Sequence, residues 1–406
     1  MKRIIVVGGG ASGLVAAISA ARAGADVTIL EQKDRIGKKL LSTGNGRCNL
    51  TNTHMNVSCF RGDHMEEVAA VLEQFGYSKT QEFFEELGVI LKDRQGYIYP
   101  ISDQAATVLD VLRMEIEQLM ISVCSDEKVL RITKNGKGFC VQTNNKIYKS
   151  DAVILSTGGK AASVLGSDGS GYSLAKDFGH CLSPVVPALV QLRAKGNFFK
   201  HLSGVRTQAK VSLFVEQKFV CSDEGELQLT NYGISGIPVF QVSRFAAKAL
   251  YEKKSVYAEL DLMPSMSEEA FYDFLLKRKK RHSSKSAEQF LIGMFNKKLI
   301  PVLLKEVHSS LDKPINEVDD DHIYKLAMLC KHFKVTIVDT NGFEAAQVCA
   351  GGVKTNEINA HTMESIYVEG LYLTGELLDV DGICGGYNLQ WAWATGFIAG
   401  KNAAKG

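Results

Sequence analysis

Residues 1–31 constrain the fold of this chain more than any other stretch. They read as a short apolar run rich in β-branched residues (4–7), a glycine turn, an Ala-rich segment (14–23) and a second apolar run (27–30). Gly8, Gly10 and Gly13 have the spacing G-x-G-x-x-G, and Glu31 ends the second run. This order predicts strand, turn, helix and strand, the βαβ unit that belongs to a parallel sheet and binds a dinucleotide.

Each motif residue has a physical reason to be there. Gly8 allows the tight turn, Gly10 lets the backbone approach a pyrophosphate, and Gly13 lets the helix lie close to the strand. The helix N-terminus offers unpaired N–H groups and partial positive charge to the phosphates. Glu31 is expected to accept hydrogen bonds from a ribose, and its charge disfavours a 2′-phosphate. The alternative, a purely structural glycine turn, does not require Glu31.

Composition narrows the class of protein. A length of 406 residues predicts two or three structural units, and 45% hydrophobic with 23% charged residues is ordinary for a globular protein. The net charge of +2 gives no reason to expect a nucleic-acid or membrane partner. Nine cysteines without C-x-x-C or zinc spacing predict a cytoplasmic protein with free thiols and no metal site. No apolar stretch is long enough to cross a bilayer.

The loop after Glu31 is dense in polar and flexible residues. Ser42, Gly44, Arg47 and Asn49 lie in the sequence STGNGRCNLTN (42–52), which is typical of a loop along a polar ligand. Either Lys39 or Arg47 is suited to neutralise phosphate. The alternative is a solvated connector. Cys48 is expected to be a packed small residue rather than a redox thiol.

The remaining chain divides by composition. Residues 65–75 and 78–87 predict two helices, and Ser102 is the expected N-cap of a helix through 110–120. A buried strand at 151–155 leads into Thr157, Gly158 and Gly159. From Pro187 the pattern changes to antiparallel strands, with a polar turn at 227–236, helices over 267–331 and a strand at 333–339. A second helix N-terminus exposed by glycines follows at 385–389.

Several longer motifs carry a family resemblance. They are STGNGRCNLTN, STGG (156–159) with GSDGSGY (166–172), CAGGVKTNEI (349–358) with TMES (362–365), and GELLDVDGICGGYNLQWAWATG (375–396). Together they resemble the bacterial NAD(P)/FAD-dependent oxidoreductases, a family that includes aminoacetone oxidase and a flavoprotein of bile-acid dehydroxylation. The resemblance implies an α/β fold, in which a Rossmann-like, glutathione-reductase-like FAD-binding domain is split by an inserted β-barrel-like and helical domain. The composition changes fit FAD-binding segments at 1–187 and 336–406. The insertion is then 188–335, β-rich over 188–262 and helical over 263–331.

The resemblance also assigns cofactor contacts by position. Around the pyrophosphate and ribose it implies Gly8, Gly10, Ala11, Ser12, Gly13, Glu31 and Gln32. Along the path to the flavin ring it implies Lys39, Ser42, Gly44, Arg47, Cys48 and Asn49. Near adenosine it implies Val129, Thr157, Gly158 and Gly159. Near the ribityl chain and the ring it implies Gly375, Glu376, Asp381, Gly386, Tyr387, Asn388 and Leu389.

The expected function is that of an FAD-dependent oxidoreductase. It would pass a hydride or two electrons through flavin N5 to or from a small organic substrate, with NAD(P)H as a candidate donor. A second G-x-G-x-x-G unit for NAD(P)H is not found. One alternative is an amine-type oxidase that makes H2O2, and another is a flavin-containing nucleic-acid-modifying or RNA-binding protein, favoured only by the basic run 277–282. His201, His361 and Tyr232 are candidate general bases, but a structural role is favoured for each. Catalytic residue, substrate and oligomeric state stay unassigned.

Overall fold

The computed structural model describes residues 1–136 and 138–405. The chain folds into two compact units. The first comprises Met1–Pro187 and Gln347–Gly406, and the second comprises Ala188–Ala346. The second unit therefore continues beyond residue 335, where the sequence suggested a return to the first. The reason is that the strand beginning at Phe333 pairs within the second unit.

The elements of secondary structure are numbered in chain order. The strands are β1 (Arg3–Val7), β2 (Asp26–Leu30), β3 (Thr51–Asn52), β4 (Phe60–Arg61), β5 (Leu91–Arg94), β6 (Tyr97–Pro100), β7 (Ser122–Cys124), β8 (Val129–Asn135), β9 (Gly138–Thr143), β10 (Ile147–Ser150), β11 (Ala152–Leu155), β12 (Val186–Ala188), β13 (Leu192–Ala194), β14 (Arg206–Val215), β15 (Lys218–Leu229), β16 (Gly233–Gly236), β17 (Val256–Asp261), β18 (Phe333–Thr340), β19 (Val348–Ala350), β20 (Ile358–Asn359), β21 (Glu364–Ser365), β22 (Leu371–Leu373) and β23 (Asp381–Gly382). The helices are α1 (Ala11–Arg22), α2 (Met65–Gln74), α3 (Tyr77–Glu86), α4 (Ala105–Gln118), α5 (Ser170–Lys176), α6 (Phe199–Leu202), α7 (Ile237–Tyr251), α8 (Glu268–Arg281), α9 (Ala287–Leu291), α10 (Ile300–Glu306), α11 (Asp320–Lys331), α12 (Gly342–Ala345) and α13 (Tyr387–Lys405).

The first unit is built on a seven-stranded sheet in the order β20-β21-β22-β11-β1-β2-β7. From β22 to β7 neighbouring strands are parallel, and Val6 of β1 is paired with Ile154 on one side and Ile29 on the other. Val6, Ile29 and Ile154 are fully buried, as expected for parallel strands covered on both faces. The predicted βαβ unit and Rossmann-like fold are confirmed.

Two glycines bring the last helix onto the first. An added Cβ at Gly396 would lie 2.3 Å from the carbonyl oxygen of Ser12, and one at Gly400 would lie 2.2 Å from that of Ala16. The step from Gly396 to Gly400 along α13 matches the step from Ser12 to Ala16 along α1, one helical turn in the same direction. The two helices are therefore parallel and in close contact. Tyr387, the first residue of α13, consequently lies about 12 Å beyond the N-terminus of α1, at about 1.5 Å per residue.

The second unit contains a closed six-stranded barrel in the order β13-β16-β15-β14-β17-β18, with antiparallel neighbours throughout. Its core continues among α8 to α11, where Phe271, Phe290 and Leu303 are buried. The inserted barrel-like and helical parts predicted from the resemblance are therefore present. None of the helices within residues 1–136 and 138–405 is both long and apolar enough to cross a membrane.

Two local predictions were wrong. Of residues 227–236, predicted as a polar turn, only 230–232 form the bend, whereas 227–229 end β15 and 233–236 form β16, paired with Leu227 opposite Gly236. In the closed barrel the backbone of this polar segment pairs with neighbouring strands, and its own sequence gives no sign of them. Ser102 does not cap α4, which begins at Ala105 after Gln104. The Ser102 hydroxyl instead forms a hydrogen bond with that of Thr107.

A histidine joins β17 to α8 in the second unit and gives a pH prediction. His332 Nδ1 lies 2.9 Å from Glu259, and Nε2 lies 2.8 Å from Glu268. The hydrogen bond with Glu259, followed by that with Glu268, raises the pKa of His332 above its usual value of 6.5, although partial burial opposes this. The stabilisation is thus fully present below about pH 6.5 and is lost as the pH rises through the higher folded-state pKa.

We therefore expect the wild type to melt at a higher temperature than His332→Gln at pH 5.5, by a modest amount because the imidazole is 42% exposed. The difference should shrink between pH 6.5 and pH 8. Thermal melts of both proteins, followed by circular dichroism at each pH, measure it. A difference that stays constant over this range would contradict the assignment.

Candidate functional site

The glycine motif lies between the end of β1 and the start of α1. Gly8 has φ +101°, and an added Cβ would lie 2.5 Å from the carbonyl oxygen of Ser156. At Gly13 it would lie 1.9 Å from the carbonyl oxygen of Gly8. Both glycines are therefore required by the backbone of the protein itself, because any side chain would separate α1 from the sheet.

Gly10 is different. Its backbone is ordinary, with φ −85° and ψ −168°, and an added Cβ would have no atom within 4 Å. Among the glycines of residues 1–136 and 138–405, only Gly10 combines a φ outside the left-handed region with such open space. Nothing within the described chain needs a glycine here. The open space lies at the N-cap of α1, where unpaired N–H groups favour an anion.

Glu31 is held at the end of β2 by backbone groups. Oε2 accepts a hydrogen bond of 2.8 Å from the N–H of Gly9, and Oε1 accepts one of 2.8 Å from the N–H of Lys33. The residue is 8% exposed, and this burial raises the pKa of its carboxyl group, although the hydrogen bonds oppose the shift. The carboxylate is therefore fixed beside the glycine turn, with acceptor capacity left for a hydroxyl group.

The polar loop turns back on itself and reaches across the first unit. It forms a 3-10 segment, Leu40–Gly46, that is broken by left-handed residues at Gly44 and Asn45. Lys39 Nζ forms an ion pair of 2.9 Å with Glu376 Oε2, and the N–H of Cys349 donates to Glu376 Oε1 at 2.7 Å. The two charged residues are 23% and 19% exposed. The ammonium group of Lys39 is thus held beside the segments that contain Cys349 and Glu376.

Cys48 is buried and lies in this same loop. Desolvation raises the pKa of its thiol to about 12, which keeps it protonated at neutral pH. Its environment is that of a packed small residue, the role favoured from the sequence.

Among the buried side-chain atoms of the first unit without a hydrogen-bond partner, two lie beside the glycine turns. Asn49 is 8% exposed, and its Oδ1 has no hydrogen-bond partner in the chain. This oxygen would lie 2.9 Å from a Cβ added at Gly386, immediately before α13. The hydroxyl of Tyr172 is also buried without a partner, 3.1 Å from the Cβ position of Gly159. Unpaired buried polar atoms are costly, and the position of these two beside the glycine turns makes both candidates for contact with a ligand.

The glycines near the ends of β11 and β22 allow further close approaches. Gly375 has φ +66° after β22, and an added Cβ would lie 2.7 Å from the Ser12 hydroxyl. Gly158 has φ +69° and lies against Ser167. At Gly171 an added Cβ would overlap the Thr157 hydroxyl at 1.8 Å. These turns meet at the carboxyl ends of parallel strands, the edge where open α/β sheets bind their ligands.

The other predicted contact residues occupy these same turns and helix ends. Ala11 and Ser12 lie in the first turn of α1, and Tyr387 and Leu389 lie in the first turn of α13. Val129 begins β8 and Asp381 begins β23. Gln32 donates to the carbonyl of Gly166, Ser42 donates to the carbonyl of Lys39, and Arg47 is exposed. The Asn388 amide is engaged with both the N–H and the carbonyl of Gly382. That side chain therefore holds the turn before α13.

The three candidate bases lie elsewhere. His201 is exposed in α6 of the second unit, and Tyr232 lies beneath Arg193 of that unit. His361 is exposed in a turn of the first unit. His201 and Tyr232 thus belong to a different unit from the glycine turns and the polar loop, and within the described part of the first unit His361 contacts none of those residues.

Sequence reasoning missed Tyr172 and the role of Cys349. Tyr172 ends the motif GSDGSGY, so the motif itself carried the signal. The hydrogen bond from Cys349 to Glu376 depends on a contact between the CAGG and TGE segments, which no local pattern indicates. The family motifs also contain structural residues. Buried His180 lies 3.0 Å from Glu357 and 2.9 Å from Ser365, which links TNEI to TMES.

Comparisons with known proteins identify the family of this chain. The family model described as the HI0933-like protein Rossmann domain matches residues 2–402. A 3-dehydro-bile acid delta(4,6)-reductase from Clostridium scindens is 52% identical over the full length of both chains. A ribosomal RNA dihydrouridine synthase from Haemophilus influenzae is 27% identical, covering 99% of this chain and 98% of its own.

The fold also occurs among solved structures. A 3-ketosteroid-delta4-(5alpha)-dehydrogenase from Rhodococcus jostii matches with a TM-score of 0.52 at 15% identity, covering 100% of this chain and 97% of that one. At this identity the match supports the shared fold. The resemblance inferred from the motifs is confirmed by the family match and the full-length relative. The chain therefore belongs to the HI0933-like Rossmann-domain family and is an FAD-dependent oxidoreductase.

Proposed function

We propose that this protein uses FAD to reduce a carbon–carbon double bond conjugated to a ketone in a small steroid-type acid, with NAD(P)H as electron donor. The observation that carries the substrate class is the 52% identity, over the whole length of both chains, with a 3-dehydro-bile acid delta(4,6)-reductase. The open space at Gly10 supports the cofactor, because it accounts for a glycine that the chain does not otherwise need.

In this proposal the residues of the first unit bind and orient FAD. The N–H groups at the start of α1 face the pyrophosphate over Gly10, and Glu31 accepts hydrogen bonds from the adenosine ribose. Lys39, held by Glu376, balances phosphate charge. The Oδ1 of Asn49 and the hydroxyl of Tyr172 are the buried polar atoms that form hydrogen bonds with the cofactor. The N-terminus of α13, beyond that of α1, places partial positive charge where negative charge develops on the reduced ring.

The redox balance is simple. When bound, FAD would supply two-electron hydride chemistry between NAD(P)H and the enone. The β-carbon of the enone receives the hydride, the α-carbon receives a proton from solvent or a side chain, and a saturated ketone results. NAD(P)H is oxidised and the double bond is reduced.

The test is anaerobic reduction followed at the flavin absorbance band. We expect NADH or NADPH to bleach the band, and a 3-oxo bile acid with a double bond at C4 to restore it with loss of that double bond. The saturated 3-oxo bile acid is the matched control and should leave the band bleached. Bleaching by an amine substrate, with H2O2 formed in air and no response to the enone, would favour the oxidase alternative instead.

A second candidate function is modification of ribosomal RNA, the activity named for the 27% identical relative. Lys277, Lys280 and Arg281 of α8 are exposed, whereas Arg278 donates to the carbonyl of Phe290 and Lys279 is paired with Asp320. A variant in which Lys277, Lys280 and Arg281 are all replaced by alanine therefore tests whether the protein binds RNA through α8. RNA binding that falls steeply with salt and is lost in the variant would favour this candidate over the steroid proposal.

A further inference from the structure

A groove in the second unit combines an apolar floor with basic walls. It lies between α6 and α10 and has a volume of about 590 Å³. Phe198, Pro301 and Val302 line it together with His201, Lys298 and Lys305. This volume is within the range of pockets that hold one drug-sized ligand.

The floor is fixed by aromatic packing. The Phe198 ring lies 4.6 Å from that of Phe199, and it meets the Phe333 ring edge-on at 5.7 Å. Phe199 is 1% exposed, so it belongs to the core of the unit. Phe198 therefore presents a rigid, half-buried apolar surface to the groove, which suits a flat hydrophobic ring system.

The charge of the groove is predominantly positive. Lys298 is oriented by a hydrogen bond of 2.8 Å from its Nζ to the carbonyl of Ser203. Lys305, in the last turn of α10, and His201 of α6 also line the groove. Glu306 is the acidic residue of the lining. Exposed Lys200 and Lys297 flank the groove and add to the positive field.

The geometry points to a binding site for an amphipathic organic anion, a hydrophobic ring system that carries a carboxylate, with the rings on Phe198 and Val302 and the carboxylate between Lys298 and Lys305. The apolar floor accounts for the ring system, and the excess of cations over the one acidic residue accounts for the carboxylate. This inference does not rest on the proposed reduction, since it concerns a groove formed within the second unit.

Calorimetric titration of the FAD-loaded protein with cholate, below micellar concentrations, tests the site. We expect Lys305→Glu to weaken binding by about fivefold, the effect of reversing one exposed charge. Lys277→Glu makes the same change of charge on exposed α8 and should leave the affinity unchanged. The methyl ester of cholate, which lacks the charge, should bind at least about fivefold more weakly than cholate to the wild type.

A fluorescent reporter locates the ligand. Both native tryptophans belong to the first unit, so Phe198→Trp adds the only tryptophan of the second unit. We expect cholate to shift its emission with the same affinity as the calorimetric titration. Equal binding of acid and ester, an unaltered affinity in Lys305→Glu, or an unresponsive reporter would each overturn the proposal. The reporter and the charge variant are read without enone turnover, so failure here is distinguishable from failure of the proposed reduction.

Discussion

Gly10→Val is expected to abolish FAD retention while leaving the fold intact. The valine side chain would enter the open space at the N-cap of α1, where the backbone must approach the pyrophosphate. Hydrogen bonds to a charged group contribute about 1.5–3 kcal/mol each, so loss of two weakens binding by at least about a hundredfold. The backbone of Gly10, at φ −85°, accepts a side chain without strain. Flavin content of the purified protein, and reconstitution of the apoprotein with FAD, measure the effect.

Gly76→Ala provides the matched control. Gly76 is the N-cap of α3 and has nearly the same backbone, φ −85° and ψ −170°. An added Cβ at Gly76 would lie 3.0 Å from the carbonyl oxygen of Leu72, so this substitution costs the fold at least as much as one at Gly10, but Gly76 is not part of the glycine motif. We expect this variant to remain yellow, and Gly10→Ala to fall between the two. A folded Gly10→Val protein with normal flavin content would exclude pyrophosphate binding at this turn.

The sequence could predict those parts of the site that depend on neighbours along the chain. The order of β1, the glycines, α1 and β2 is local, and Gly8 and Gly13 are explained by contacts within that unit. The same holds for the exposed N-terminus of α13, because glycines precede an apolar helix. Local patterns work here because hydrophobic period and glycine geometry dictate these elements directly.

Contacts between distant segments could not be predicted in this way. Lys39 and Glu376 are far apart in sequence, and neither has a local pattern that names the other. The approach of α13 to α1 depends on Gly396 and Gly400, which look like ordinary helix glycines in the sequence. The barrel similarly converted a polar segment into strands by supplying β13 and β15 as partners for β16. In each case tertiary contacts decided the outcome.

Lys331→Met is expected to destabilise the second unit by about 3 kcal/mol, the lower end of the range for breaking a buried ion pair. Lys331 is 7% exposed at the end of α11, and its Nζ lies 2.7 Å from Asp261 Oδ2. It also donates to the carbonyls of Met263 and Met266. Methionine keeps most of the volume but removes the ammonium from Asp261 Oδ2 and from both carbonyls, which leaves the carboxylate with the N–H of Met263 as donor to Oδ1. Hydrogen exchange of peptides from β17 and α11 measures the local free energy of opening.

Lys279→Met is the control for loss of a lysine whose ion-pair partner lies on the surface of the same unit. Its partner Asp320 is 66% exposed, so the cost should stay below about 1 kcal/mol. Adding Asp261→Asn to Lys331→Met should restore part of the lost stability, because it removes the uncompensated charge. The fluorescence of Trp391 and Trp393 reports on the first unit and should not change in any of these variants. Equal exchange in Lys331→Met and the wild type would mean that the buried ammonium contributes nothing to the stability of the barrel and helical unit.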